Sequence, residues 1–91
     1  MNRFEALEDV KEKMIERGAD YGDLRANWEK GARRISRIVK RDMTVAEYGA
    51  AMVGVKLARL QNADCKHIDS WTDIIGYAAL AIELIEAENE H

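Results

Sequence analysis

The amino-acid sequence predicts an all-α protein, a compact bundle of about four helices that forms one domain over residues 1–91. The 91 residues include no proline and only six glycines, and an all-β domain of this length needs more turn-forming residues. Hydrophobic residues make up 47% of the chain and charged residues 34%, a balance typical of globular domains. Apolar residues recur at helical spacing in four separate segments, and this periodicity predicts four helices.

The chain is short for a domain that must stabilise itself. A chain of 91 residues buries only about 60–65% of its unfolded surface, and association is a common remedy. Helices three and four present more small and apolar surface than one such bundle covers. We therefore expect a homodimer or higher oligomer, completed mainly through these two helices.

Composition and charge exclude several classes of function. The net charge of −3 disfavours non-specific binding of nucleic acid, whose phosphates attract basic proteins. No run of about 18 apolar residues is present, so we expect no membrane-spanning segment. The first residues do not resemble a signal peptide, and the single cysteine, Cys65, fits a reducing compartment. These observations predict a cytoplasmic protein.

The first two helices are predicted by their apolar stripes. Helix one is expected from Asn2 to Arg17, with Gly18 just past its C-terminus. Its stripe consists of Phe4, Leu7, Val10, Met14 and Ile15. Helix two is expected from Asp23 or Leu24 to Lys40, with Asp23 as its N-cap. Its stripe consists of Leu24, Trp28, Ala32, Ile35 and Ile38 or Val39, and its arginines occupy the remaining surface.

Helix three has the clearest start in the chain. Thr44 and Glu47 have the spacing of a capping box, and the helix is expected to continue to about Leu60. It is apolar almost all round, as helices at the centre of a bundle or in a subunit interface are. Gly49 and Gly54 each cost about 1 kcal/mol relative to alanine in a helix interior. Close approach of another helix would explain both.

Helix four is expected to begin at Asp69 or Ser70 and to end at about Glu88. Its stripe consists of Trp71, Ile74, Ile75, Ala78, Ile82 and Ile85. Both tryptophans, Trp28 and Trp71, lie on such stripes, so we interpret them as core residues. Several alanines make helix four slim, which suits tight helix packing.

Two cations on helix three are the first candidates for a binding site. Lys56 and Arg59 lie three residues apart, on nearly one face of an otherwise apolar helix. One interpretation is that they bind a phosphate, Arg59 in bidentate fashion and Lys56 as a point charge. The other is structural, with both side chains reaching solvent or pairing with acids of helix four.

Two acids at the start of helix four are the second candidates. Asp69 and Asp73 lie four residues apart and share one helix face, where like charges repel unless a cation lies between them. Mg²⁺ held by one or two carboxylates and by substrate phosphates would use such a pair. Alternatively, Asp69 caps the helix, or Ser70 and Asp73 form a capping box.

Several segments together resemble a family of small phage and prophage proteins that is defined as a domain of unknown function. The resemblance covers about residues 20–85. It is carried by Tyr21-Gly22-Asp23, Asn27, Lys56-Leu57-Ala58-Arg59-Leu60 and Asp69-Ser70-Trp71-Thr72-Asp73-Ile74-Ile75-Gly76-Tyr77-Ala78. That family is distantly similar to the all-α nucleoside triphosphate pyrophosphohydrolases of the MazG and dimeric dUTPase group. If the chain is phage-encoded, the cytoplasm is that of the host.

The resemblance implies a nucleotide site with Mg²⁺. MazG-like enzymes hold the metal with Glu-Glu-x-x-Glu on one helix and Glu-x-x-Asp on the next. Asp73 matches the aspartate of the second block, and Ser70 stands where the glutamate of that block would be. Asp69 would replace this glutamate if its position shifted slightly. The first block is missing, because helix three offers only Glu47. The implied phosphate-binding residues are Lys56, Arg59, Tyr21, Asp23 and Asn27, and the implied Mg²⁺ ligands are Asp69 and Asp73.

Three functions are compatible with these residues, and no catalytic residue is assigned. In the first interpretation, which the resemblance implies, the chain is a MazG-like nucleotide pyrophosphohydrolase or a degenerate relative, with Mg²⁺ and the cations stabilising phosphate charge. Alternatively, it is a non-catalytic protein that sequesters a nucleotide. In the third interpretation the polar residues only hold the helices together, as satisfied buried networks do, within a structural or interaction module.

Overall fold

Four helices make up the protein in a computed structural model that describes residues 1–16 and 21–89, with only the backbone described for 21–24. They are α1 (Arg3–Glu16), α2 (Tyr21–Val39), α3 (Val45–Gln61) and α4 (Ile68–Asn89). The described residues contain no strand. The predicted all-α class with four helices is confirmed.

The start of α1 is fixed by a capping residue. The backbone N–H of Glu5 donates to Oδ1 of Asn2 at 2.9 Å, and the backbone N–H of Asn2 donates to Oε1 of Glu5 at 3.4 Å. These bonds satisfy amide groups that have no partner within the helix. Arg17 and Gly18, where the predicted helix ends, lie outside the described residues.

The start of α2 differs from the sequence prediction. The helix begins at Tyr21, so Asp23 is its third residue, and the prediction that Asp23 is the N-cap is wrong. An aspartate in the first turn still favours a helix, because its charge interacts with the positive end of the helix dipole. The helix ends before Lys40, whose φ of 58° is left-handed, as is common just past a C-terminus.

The capping box predicted at the start of α3 is confirmed. The backbone N–H of Glu47 donates to Oγ1 of Thr44 at 3.0 Å, and the backbone N–H of Thr44 donates to Oε1 of Glu47 at 3.2 Å. Arg41 also bonds Oε2 of Glu47, at 2.8 Å. The Arg41 guanidinium and then the Thr44 N–H hold the pKa of the Glu47 carboxyl below its ordinary value.

The start of α4 differs from both predicted capping schemes. The helix begins at Ile68, so Asp69 and Ser70 are its second and third residues and neither is the N-cap. The side chain of His67, the residue before the helix, takes part instead: its Nδ1 lies 2.7 Å from Oγ of Ser70. The carbonyl oxygen of His67 accepts the backbone N–H of Ser70 at 3.2 Å.

Helices α3 and α4 form an antiparallel hairpin on which the other two helices pack. An added Cβ at Gly49 would lie 3.5 Å from Cβ of Ala81, and Lys56 meets Asp73, which fixes the register. α1 packs on α4, and α2 packs on α3. The protein is flat as a result, with extents of 39 × 30 × 20 Å, and its thinnest dimension is about two helix diameters.

The buried tryptophan of α2 joins three helices. Trp28 is 6% exposed and meets the ring of Tyr48 edge-on, with centroids 5.6 Å apart. Its ring also lies 6.4 Å from that of Tyr77 on α4. An added Cβ at Gly49 would lie 2.9 Å from Cζ3 of Trp28. The close approach predicted for Gly49 is therefore observed, whereas the space beside Gly54 is open in the described part of the chain.

The core is smaller than the apolar stripes predict. The buried apolar side chains are Val10, Trp28, Ala32, Leu60 and Leu84. Phe4, Leu7, Ile15, Ile38 and Val39, all assigned to stripes, are exposed, and so are Val55 and Leu57 of α3. On α4 the prediction is wrong for Trp71, Ala78, Ile82 and Ile85, which are exposed because α1 packs on the opposite side of the helix. None of the described helices is long and apolar enough to span a membrane.

Candidate functional site

An ion pair between α3 and α4 lies at the centre of the candidate site. Nζ of Lys56 is 2.9 Å from Oδ2 of Asp73, and the two side chains are 14% and 24% exposed. The two motif blocks singled out in the sequence therefore meet in space. Pairing of Lys56 with an acid of helix four was the structural interpretation of this lysine, and this contact is observed.

Two exposed charges accompany the ion pair. Arg59 lies three residues beyond Lys56 on α3, and Asp69 lies four residues before Asp73 on α4. Residues at these spacings share a helix face, and the Lys56–Asp73 contact joins the two faces. We call these four residues the charged cluster. In the described part of the chain, the side chains of Arg59 and Asp69 make no hydrogen bond or ion pair.

The residues between Asp69 and Asp73 have structural roles. Ser70 is 1% exposed and its hydroxyl meets the ring of His67. Nε1 of Trp71 donates to the carbonyl oxygen of Cys65 at 2.9 Å. The preceding loop turns sharply, since Asp64 and Cys65 have φ values of 52° and 61°. These contacts hold the loop against the start of α4 and so position Asp69 and Asp73.

Sequence reasoning missed these structural roles. Trp71 was assigned to the core on helical periodicity, but its ring is 46% exposed and its N–H anchors the loop. No role was assigned to His67 from the sequence. The available signal was a histidine three residues before a serine, a spacing at which side chains meet across a helix start.

A small cavity lies beside Asp73, between α1 and α4. Its volume is about 40 Å³, and its lining includes Val10, Lys13, Thr72, Asp73 and Tyr77. A cavity of this size holds a few water molecules at most. A ligand as large as a nucleotide would therefore contact the charged cluster from the outer surface rather than enter this cavity.

The other predicted phosphate-binding residues do not join the charged cluster in the described structure. Asn27 is exposed on α2, next to the buried Trp28, and its side chain makes no hydrogen bond to a described residue. The side chains of Tyr21 and Asp23 lie outside the described part of the structure. Their assignment to the site therefore stays a prediction.

The carboxylates provide only part of a metal site. Among the described residues, no three His, Cys, Asp or Glu side chains converge as a metal site requires. Mg²⁺ bound to a nucleotide uses only one or two carboxylates, because phosphate oxygens and water complete its shell. That smaller role would require only Asp69 and Asp73, and their assignment to Mg²⁺ stays a prediction.

Comparison with known proteins identifies a family. The family model described as "Domain of unknown function (DUF6378)" matches residues 5–85, a range that includes the charged cluster and most of all four helices. No curated protein and no solved structure matches the chain.

Proposed function

The chain belongs to the DUF6378 family, and from this premise we propose that it binds a magnesium nucleotide at the charged cluster. The observation that carries the proposal is the contact of Lys56 with Asp73 at 2.9 Å, which places two cations and two carboxylates on facing helices. A phage origin and a distant relation to MazG-like pyrophosphohydrolases are part of the proposal. Both rest on the sequence motifs.

A role in stability alone explains the ion pair poorly. Both side chains are largely removed from water, and desolvation cancels much of the attraction within such a pair. Apolar side chains of similar volume often serve a bundle equally well. Arg59 and Asp69 add exposed charges that make no described ion pair, so they bring the bundle little stability. If the cluster binds a charged ligand, all four residues have a role in binding.

The charge balance of the cluster favours a ligand that carries both signs. Lys56 and Arg59 contribute two positive charges, and Asp69 and Asp73 contribute two negative charges, so the cluster is neutral in total. A bare phosphate would be attracted by the cations and repelled by the acids. A magnesium nucleotide instead offers phosphate oxygens to Arg59 and Lys56 and a divalent cation to the carboxylates.

Binding is proposed without a catalytic step. Mg²⁺ bound with the nucleotide would neutralise phosphate charge, and hydrolysis would additionally require a positioned water. Among the described residues, Asp69 and Asp73 belong to no group of three His, Cys, Asp or Glu side chains that could hold a metal ion. The resemblance additionally implies pyrophosphohydrolase activity. An assay for pyrophosphate release from nucleoside triphosphates tests that activity separately from binding.

Thermal unfolding with a panel of nucleoside triphosphates tests the proposal. A ligand that binds only the folded state raises the melting temperature as its concentration exceeds Kd. We expect at least one nucleotide to stabilise the wild type in the presence of Mg²⁺, and less so with EDTA. Arg59→Gln should weaken the effect, because it removes the exposed, bidentate donor without breaking a described contact.

Arg37→Gln provides the matched control. Arg37 is an exposed arginine on α2, so this variant removes the same charge at a distance from the cluster. Stabilisation that is equal in wild type and both variants would show non-specific binding and would contradict the proposal. Absence of stabilisation by any nucleotide would favour the structural interpretation, in which Lys56 and Asp73 only hold α3 against α4.

A further inference from the structure

One face of the α3–α4 hairpin exposes apolar side chains along its whole length. The residues of this open face are Ala50, Gly54, Leu57, Ala58, Trp71, Ala78, Ile82 and Ile85, all of them exposed. On each helix they recur at intervals of three, four or seven residues, so they form one stripe per helix. None of the eight is charged; Glu47, three residues before Ala50, continues the α3 stripe at its end and is paired with Arg41.

The opposite side of the hairpin is the side that α1 and α2 cover. Trp28 of α2 packs over Gly49, and Val10 of α1 lies beside Gly76 and Tyr77 of α4. Gly76 lies about 140° from Trp71 and about 160° from Ala78 around the helix axis, at 100° per residue. The hairpin is therefore buried on one side, and no described helix covers the other.

The open face contains a groove. It has a volume of about 470 Å³, and its lining includes Gly54, Leu57, Ala58 and Trp71. An added Cβ at Gly54 would meet no atom within 4 Å. Glycine in a helix interior costs about 1 kcal/mol relative to alanine, and no contact in the described chain explains why it is needed here. A helix from outside that approaches the α3 backbone at this point would explain it.

The surface area of the chain is larger than that of a compact monomer of the same mass. Its accessible surface is 6782 Å², whereas a compact monomer of 10.4 kDa exposes about 5,400 Å². The excess is larger than the roughly 800 Å² that each partner buries in a standard protein interface. The radius of gyration, 14.2 Å, also exceeds the value of about 12 Å expected at this length.

We propose that a second copy of this chain covers the open face, so that two α3–α4 hairpins pack together with α1 and α2 outside. In a twofold dimer each patch meets itself, so a charged patch would oppose like charges. An uncharged apolar patch has no such penalty and is complementary to itself. The excess area is sufficient for one such interface. Association would also bury apolar surface that the small core of one chain does not bury.

A lysine at Gly54 tests this interface. In an isolated chain its side chain projects into open space and suits a helix better than glycine does. In the dimer the same lysine is buried against the partner. Wild type should have a mass of twice 10.4 kDa or a higher multiple at micromolar concentration by light scattering. Gly54→Lys should lower the mass, and exposed Ala26 on α2 provides the matched control, Ala26→Lys.

Each result supports or overturns the proposal. Loss of the oligomer in Gly54→Lys but not in Ala26→Lys supports it. Unfolding of Gly54→Lys alone also supports it, because the described chain offers no contact that the new side chain would break. A wild type of 10.4 kDa at high micromolar concentration overturns it, and would leave the face to a different partner. An unchanged oligomer in Gly54→Lys overturns it as well, because the interface would then lie elsewhere.

Discussion

At the residue scale, the contact between Lys56 and Asp73 is compatible with both the structural and the ligand-binding interpretation. The 2.9 Å ion pair holds α3 against α4, and it also places the two halves of the charged cluster side by side. Its net contribution to stability is small when the cost of desolvation is included. Removal of Asp73 is different, because it takes this counter-ion from the Lys56 ammonium in a site with little water.

A double-mutant cycle separates these effects. Lys56→Met or Asp73→Asn alone should each destabilise the fold by about 1–3 kcal/mol, less than the 3–5 kcal/mol measured when fully buried pairs are broken. The double variant should recover part of the loss, which gives a coupling free energy in urea denaturation. The control is Lys11 with Glu8, which are 66% and 62% exposed and should couple by less than about 1 kcal/mol. Equal coupling in both pairs would mean that Lys56 and Asp73 are effectively solvated.

At the element scale, the starts of α1, α3 and α4 depend on side chains close in sequence, and α3 is the clearest example. Thr44 and Glu47 satisfy each other's backbone N–H groups. Thr44→Ala should therefore destabilise the protein by about 1 kcal/mol at neutral pH, because the first turn loses an acceptor. Thr44→Ser retains the hydroxyl and is the control. A thermal melt that does not distinguish the two variants would rule out this role for the hydroxyl.

Glycine positions in α3 and α4 test the helix packing. Gly49→Ala should destabilise the protein although alanine favours a helix, because the new Cβ would lie 2.9 Å from the buried ring of Trp28. Overpacking of this kind typically costs about 1–3 kcal/mol. At Gly76 the nearest atom to an added Cβ is Cγ1 of Val10 at 4.0 Å, so Gly76→Ala should be neutral or stabilising. Denaturant midpoints of the two variants in the reverse order would contradict this packing.

The sequence predicted local features better than distant ones. Four helices and the Thr44 capping box followed from periodicity and short-range spacing. The starts of α2 and α4 were displaced by one to three residues, because aspartate and serine favour the first turn of a helix as well as its cap. The core side of α4 was not predicted: Trp71 and Leu84 are both apolar, and only the position of α1 decides which is buried.

In the candidate site too, the sequence predicted the neighbours within one helix but did not decide the contacts between helices. Spacing placed Lys56 with Arg59 and Asp69 with Asp73, because each pair lies within one helix. Contact between the pairs depends on the register of the α3–α4 hairpin, which tertiary packing sets. The roles of Ser70 and Trp71 depend on the left-handed turn at Asp64 and Cys65, which sequence spacing does not reveal.

At the scale of the whole molecule, the protein is one layer of two helices with two more helices on one side. Its flat shape leaves the open face uncovered, and the charged cluster lies on the other side of the hairpin, toward α1 and α2. The proposed assembly and the proposed ligand binding would therefore use different surfaces. Gly54→Lys should change the mass without abolishing nucleotide binding, and Arg59→Gln should do the reverse.

The most direct test of the central claim, binding at the charged cluster, is an NMR titration of ¹⁵N-labelled protein with a magnesium nucleotide. We expect the Nε–H signal of Arg59 and the Nζ signal of Lys56 to shift together along one saturating curve, because both donors would contact the phosphates. The Nε–H signal of Arg37, exposed on α2, should stay in place. No shift at Arg59 and Lys56, or equal shifts at Arg37, would contradict the account.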